Sequence, residues 1–205
     1  MRRRGKSGKL GRVVTVGALA VIGLLWARLF FIHPQAEGLL EPADPGQAQL
    51  AQRKLGELSS AVNRLSDAAR RGEAQSTTLQ FSAAEINAML TAEPELQGAL
   101  AEARITSPEV QLRPGRVITT ARIEKATVTV PVTAEGELLA RGGMLLYASD
   151  SVRVAGVPAS ASVRAAIDTH IQEAFRRLEQ RVHARVDRVT LGRSRMTLSL
   201  SSRPE

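Results

Sequence analysis

The chain has 205 residues, and its 28 Lys and Arg against 20 Asp and Glu give a formal charge of +8. Seven of those cations (Arg2, Arg3, Arg4, Lys6, Lys9, Arg12 and Arg28) precede residue 29, where there is no acid, so the basicity belongs to an N-terminal tail and is no argument for a nucleic-acid partner. Cysteine is absent, which excludes disulfides, thiolate ligands and a Cys nucleophile, and only Phe81, Tyr147 and Phe175 are aromatic beyond Ile32, too few for base stacking.

Residues 1–12, MRRRGKSGKLGR, read as a cytoplasmic basic tail. Residues 13–32 read as a transmembrane signal anchor, because about 20 helical residues cover the ~30 Å of a hydrocarbon core. Arg28 lies near the distal end, where its side chain can snorkel to the headgroups, and Trp26, Phe30 and Phe31 gather at the same depth as an interfacial belt. The positive-inside rule puts the tail in the cytoplasm and everything after His33 outside, as in a single-pass protein of the cell membrane with the bilayer as its first partner. A cleaved signal peptide is the rival reading. The small residues Ala18-Leu19-Ala20 lie inside the apolar run, and Pro34-Gln35-Ala36 is all that follows it, so the uncleaved anchor is preferred.

HPQAEGLLEPADPGQ (33–47) has the Pro and Gly content of a linker, which leaves 48–205 as one extracytoplasmic domain. Ala48, Ala51, Leu55, Leu58, Val62, Leu65 and Ala69 then follow a 3-4 spacing and predict a helix that closes near Arg71-Gly72. Three heptads are compatible with a coiled-coil dimer, but the Ala content and Gly56 favour packing on its own domain.

FSAAEINAML (81–90) carries the best-marked local signal. With Ser82 as N-cap, Glu85 falls at N3, the spacing of a capping box, and Phe81 and Ile86 fall at the two positions of a hydrophobic staple. Ile86, Met89 and Leu90 form the buried edge, and Glu93-Pro94 ends the helix. Glu85 with Asn87 is also a candidate polar site, but a carboxylate committed to capping makes a weak catalyst.

From Arg104 the period changes to two. Val117, Ala121 and Ile123 supply a strand after the Pro114-Gly115 turn. In 126–140 the even positions, among them Val128, Val130 and Val132, are small or apolar, which predicts one very long strand kinked at Pro131 and Gly136. Gly142-Gly143 is the turn, and the chain returns through Met144, Leu146, Ala148, Val152 and Val154 with a bulge near Asp150. Gly156-Val157-Pro158 ends the sheet and starts a helix with the stripe Val163, Ile167, Ile171, Ala174, Phe175, Leu178 and Val182. The segment 185–200 reads as a last strand region whose apolar phase slips near Gly192. The fold class expected is α+β: a transmembrane helix, then one domain with a long-stranded, curved antiparallel sheet packed against helices.

Little in the chain suggests catalysis. The histidines are His33, His170 and His183. Glu179, His183 and Asp187 share one helical ridge, but a metal needs ligands beyond a single ridge, so an ion-pair ladder is preferred. Asp168 and His170 point in different directions, and no hydrolase, zincin, P-loop or dinucleotide motif occurs. The expectation is a protein that is not an enzyme, with no catalytic residue, no metal and no cofactor. Residues 176–195 carry a charge of +5, read as a solvated face in preference to a patch held against an anionic leaflet.

SVRVAGVPASASVRAAIDTHI (151–171), after a Gly-Gly hairpin and the φSxxEINxxL helix start, resembles the YpmS-like single-span bacterial envelope proteins. These look like half-modules of the tubular lipid-binding superfamily, in which a long helix lies against a strongly curved sheet and leaves an apolar seam for acyl chains. The resemblance covers about residues 80–200, is one of shape, and carries no functional residue over.

Two functions are therefore expected. The first is binding of a lipid or other amphiphile along the sheet-helix seam, with Val128, Val130, Val132, Ile167, Ile171 and Phe175 as groove residues. The second is an envelope protein-interaction or assembly module whose dry faces simply fill each other.

Overall fold

The computed structural model describes residues 45–92, 97–98, 100–101, 104–125, 128–165, 168–169, 172 and 184–202. The basic tail, the apolar run with Trp26, Arg28, Phe30 and Phe31, and the groove residues Ile167, Ile171 and Phe175 lie outside the described residues. No described helix is long and apolar enough to cross a membrane.

Helix α1 spans Pro45–Arg70, so it begins inside the stretch read as linker, with proline at a first helical position where the missing N–H costs nothing. Its buried line is Ala51, Lys54, Leu58, Ala61, Leu65 and Ala68, a 3-4-3-4-3 spacing. Leu55 and Val62, expected in the centre of the stripe, form a half-buried flank. The helix closes with paired bonds, the Glu73 amide to the Ala68 carbonyl at 2.8 Å and the Gly72 amide to that of Ala69 at 2.9 Å.

Strand β1 (Ser76–Ser82) leads directly into helix α2 (Ala83–Ala92). Sequence pattern did not announce β1, because only Leu79 and Phe81 mark its dry face. It pairs antiparallel with β8 (Arg195–Ser202), which pairs with β7 (Ala184–Leu191), giving a three-stranded sheet in the order β1-β8-β7. The stretch read as one slipping strand is thus a hairpin. The change of phase between Val189/Leu191 and Met196/Leu198/Leu200 is the turn itself, closed by the Gly192 amide on the Arg195 carbonyl at 2.8 Å.

The other strands, β2 (Ile105–Arg113), β3 (Arg116–Lys125), β4 (Val128–Arg141), β5 (Met144–Val154) and β6 (Val157–Pro158), form a five-stranded antiparallel meander in chain order. The long strand and its turn fall where the period predicts. Gly142 and Gly143 both adopt positive φ (65° and 84°), as a two-residue turn matching the strand twist requires. The bulge is also where expected: Glu135 faces Ser151 and Gly136 faces Ser149, which leaves Asp150 unopposed. That extra residue flips the side-chain phase. Leu145, Tyr147 and Ser149, not Met144, Leu146 and Ala148, therefore share the inner face with Val152 and Val154.

The protein is accordingly α+β, but its strands make two sheets where the sequence suggested one. Their union depends on long-range bonds that no local period encodes. The tips of both long hairpins end against β7: the Gly115 amide donates to the Leu191 carbonyl (3.1 Å), and the Val186 amide to that of Gly143 (2.9 Å). The sheet also runs further than Gly156, since Val157 and Pro158 still pair with Val154 and Arg153. Helical structure starts at 161.

Candidate functional site

The inner face of the five-stranded sheet is the candidate site. Register places Ile105, Val110 and Leu112 of β2, Val117, Thr119, Ala121 and Ile123 of β3, the even residues of β4, and Leu145, Tyr147, Ser149, Val152 and Val154 of β5 on that face. Burial along β4 is graded. Val132 is 3% exposed, Val130 is half-buried and Val128 is 60% exposed. Val157, beside Val154 at the same end, is 64% exposed. The face is therefore closed toward the hairpin tips on β7; at the opposite end it stays buried at Ile105 and Ile123 and emerges into solvent only at the corner formed by Val128 and Val157. Of the expected groove residues, Val128, Val130 and Val132 do lie on one face, and at different depths.

Helix side chains finish both long edges of this sheet. At the β2 edge, Asn87 of α2 behaves as a one-residue strand: its Nδ2 donates to the Val110 carbonyl (3.0 Å) and its Oδ1 accepts from the Val110 amide (2.7 Å). At the β5 edge, Asp168 Oδ1 accepts from the Ser149 amide (3.0 Å), Gln172 Nε2 donates to the Tyr147 carbonyl (3.3 Å), and an Arg164 terminal nitrogen donates to the Asp150 carbonyl (3.3 Å). Positions 164, 168 and 172 are four apart, so one helical ridge follows the strand edge.

At mid-sheet the face turns polar. A Cβ on Gly136 would meet the Ala148 carbonyl oxygen and stand 2.6 Å from Cζ and 2.7 Å from the hydroxyl of Tyr147, so the absence of a side chain there is what lets the phenol lie across β4. Tyr147 is buried, and burial first, then the carboxylates of Asp168, Asp150 and Glu135, push its pKa well above the usual phenol range. The hydroxyls of Tyr147, Thr119 and Ser149 are all buried with no hydrogen-bond partner among the described residues. The signal for them was available: Thr119 sits between Val117 and Ala121, a hydroxyl in a dry phase.

The φSxxEINxxL start is fully used in architecture. The Glu85 amide donates to Ser82 Oγ (3.1 Å), and Glu85 Oε2 accepts from the Ser82 amide (2.7 Å), the reciprocal bonds of a capping box. Phe81 and Ile86 are both buried in the core, as a staple requires. Burial would raise the Glu85 pKa, but the Ser82 amide and hydroxyl, with Lys54 and Arg53, hold it below the usual carboxylate range.

Among the described residues no three His, Asp or Glu side chains come close enough to hold a metal ion. Of Glu179, His183 and Asp187 only Asp187 is described, and it lies in strand β7, not on a helical ridge as the spacing suggested; it pairs with Arg185 at 2.9 Å. Compared with known proteins, the chain matches no family model and no curated sequence.

Proposed function

We propose that the chain is a single-pass envelope protein, akin to the YpmS-like and tubular lipid-binding proteins, whose outer domain holds an amphiphile along the inner sheet face without chemically altering it. One observation carries this reading: the dry face of β4 continues without a break from buried Val132 to exposed Val128. A packed core ends at its rim, whereas an acyl chain entering from the rim would continue it and cover the exposed valines, each buried methylene contributing about 0.8 kcal/mol. The segment 13–32 supplies the bilayer from which such a ligand would come.

A second reading, docking of an envelope protein, draws on Leu139 (46% exposed) and Met144 (40% exposed), adjacent on the outer face beside the β4–β5 turn. The two readings separate in one experiment. Full-length chain carried in lipid nanodiscs is irradiated with a tail-labelled photoreactive lipid, and adducts are mapped by mass spectrometry. Adducts on 128–134 support amphiphile binding; their absence, together with co-purified protein lost on Leu139→Ser/Met144→Ser substitution, supports docking. A reporter fused after Glu205 that works only outside the cytoplasm supports the topology, and activity inside overturns it.

A further inference from the structure

We propose that β1 is a pairing edge for a second copy of this chain, the two strands running antiparallel about a two-fold axis at Thr78 and joining two three-stranded sheets into one. The inference goes beyond the amphiphile reading, and its register does not depend on it.

The strands β1, β7, β2 and β6 border the two sheets, and an open sheet edge is a hazard that proteins manage with charge, proline, bulges or cover. Three of these edges are managed. The β2 edge carries Pro108, breaks register between Thr106 and Glu109, and has Val110 taken by Asn87. On the far side β6 ends at Pro158, and beyond it the β5 backbone at Tyr147, Ser149 and Asp150 is taken by Gln172, Asp168 and Arg164. β7 bonds Gly115 and Gly143, breaks register between Val186 and Arg188, and carries the Arg185–Asp187 ion pair. β1 has no such device among the described residues. Its STTLQFS holds neither charge nor proline, and its register with β8 runs unbroken from Ser76 to Ser82.

Hydrogen-bond parity identifies the open groups. The Ser202 amide donates to the Gln75 carbonyl (2.8 Å) and the Ala83 amide to that of Ser194 (3.2 Å), so odd-numbered residues of this stretch bond β8 and even ones face away. Of the even residues, Ser82 has its amide on Glu85 Oε2. Ser76, Thr78 and Gln80 remain, with exposed side chains and no described residue bonding their outward N–H or C=O. One antiparallel self-register uses all three on both strands: Thr78 faces Thr78, and Ser76 faces Gln80, with two main-chain bonds at each pair. Moving the register by two residues either way sets an open residue against the capped Ser82 or against residue 74, outside the strand.

A two-fold contact must be complementary to itself, and this one is. Every facing pair is uncharged, and a Thr–Thr pair across strands is favourable. Charges at the two ends are balanced within each copy, Arg71 by Glu73 at 2.8 Å and Glu85 by Lys54 at 3.7 Å. Arg195 stands one strand back beside Ser82, where the register brings the second copy's neutral Arg71–Glu73 end. Leu79 and Phe81 are buried in their own core, so β1 offers an incoming partner main chain and no apolar pocket. A single strand edge is smaller than the ~1,000 Å² of a stable free complex, but chains tethered to one bilayer meet at a raised effective concentration. The strength of pairing, unlike its register, therefore rests on the anchored reading.

The test uses the full-length chain, which has no cysteine of its own, in lipid vesicles oxidised with diamide. Thr78→Cys should link to itself, because facing Cα atoms about 5.5 Å apart suit a disulfide. Ser76→Cys alone lies about 14 Å from its mate and should link about tenfold less, yet it should link readily to a differently tagged Gln80→Cys chain. Thr78→Lys puts two ammoniums on the axis at an exposed position; it should keep the urea midpoint and abolish the Ser76→Cys to Gln80→Cys link. Equal self-linking at 76 and 78, no link at any of the three positions, or a 76-to-80 link that survives Thr78→Lys overturns the pairing. The topology stands or falls separately, on the reporter fused after Glu205.

Discussion

The ammonium of Lys54 lies 3.7 Å from Oε1 of Glu85, so the carboxylate that caps α2 with one oxygen faces a buried cation with the other. Lys54 also pairs with Glu57 at 2.7 Å and stands 5.1 Å above the centre of the Phe81 ring. Capping, staple and the α1–α2 contact therefore meet at one point. A capping box alone would tolerate Glu85→Gln, since Gln can also reach back to the N-cap amide. Here the substitution leaves Lys54 with Glu57 as its remaining carboxylate. We expect Glu85→Gln to cost about 1 kcal/mol, well under the ~3–5 kcal/mol of a fully buried pair because Glu85 is partly exposed and Glu57 stays. A urea midpoint equal to wild type would mean the ion pair contributes nothing.

The same contact makes stability depend on acid. The Glu85 carboxyl is held below its ordinary value in the folded chain, so the folded state binds this proton less readily than the unfolded one. Its contribution is complete above the ordinary carboxylate pKa and is lost as pH falls from there through the lower folded value. Urea midpoints from neutral pH down through the carboxylate range should decline in wild type and decline less steeply in Glu85→Gln. Parallel curves would assign the acid sensitivity to other groups.

Ser82→Ala should cost about 1 kcal/mol through the lost N-cap. Phe81→Ala removes a fully buried ring that also faces Lys54, and should cost about 3–5 kcal/mol. The order of the two midpoints is the check: a staple residue that costs less than the cap would contradict its place in the core.

What the sequence disclosed was local. The Ser82/Glu85 spacing, the end of α1 at Gly72, the length of β4 and the bulge at Asp150 each rest on a few neighbouring residues, and each is found. What it hid needed a partner far away. Lys54 occupies a dry position between two carboxylates, the nearby Glu57 at 2.7 Å and, 31 positions on, the capping Glu85 at 3.7 Å, and only the first could be read locally. Asn87 reads as one polar residue in a helix until Val110 is brought beside it. The β7–β8 hairpin was masked because a turn and a slip produce the same change of phase, and the division into two sheets depends on Gly115 and Gly143 meeting β7. On the sheet face, alternation found Val128, Val130 and Val132 but not the hydroxyls among them, since a Thr or Ser in a strand is ordinarily wet.

Gly136 is the position where the two long hairpin strands depend on a missing side chain. Elsewhere in a strand Gly→Ala is favourable, by roughly 0.5–1 kcal/mol. At Gly136 the new methyl meets the Ala148 carbonyl and the Tyr147 ring, so we expect Gly136→Ala to cost about 1–3 kcal/mol. Adding Tyr147→Leu should recover part of that loss and not all, because the Ala148 carbonyl belongs to the backbone. Full recovery would show that the ring alone sets the constraint, and a stabilising single variant would show that β4 and β5 are further apart than the register implies.

Asn87 offers the sharpest test of how the helices and the five-stranded sheet are joined. Its amide makes two bonds to Val110, so Asn87→Ala leaves a part-buried N–H and C=O without partners, at a cost of about 2 kcal/mol. Asn87→Asp keeps the acceptor for the Val110 amide but turns a donor into an oxygen facing the Val110 carbonyl, so it should cost at least as much despite its closer shape. Hydrogen exchange localises the effect. The Val110 amide should lose protection in Asn87→Ala and keep more of it in Asn87→Asp, while amides of β8 stay protected in both. If Asn87→Asp is as stable as wild type, the side-chain amide donates to nothing that matters, and α2 is held on β2 by packing of Ile86, Met89 and Leu90 alone.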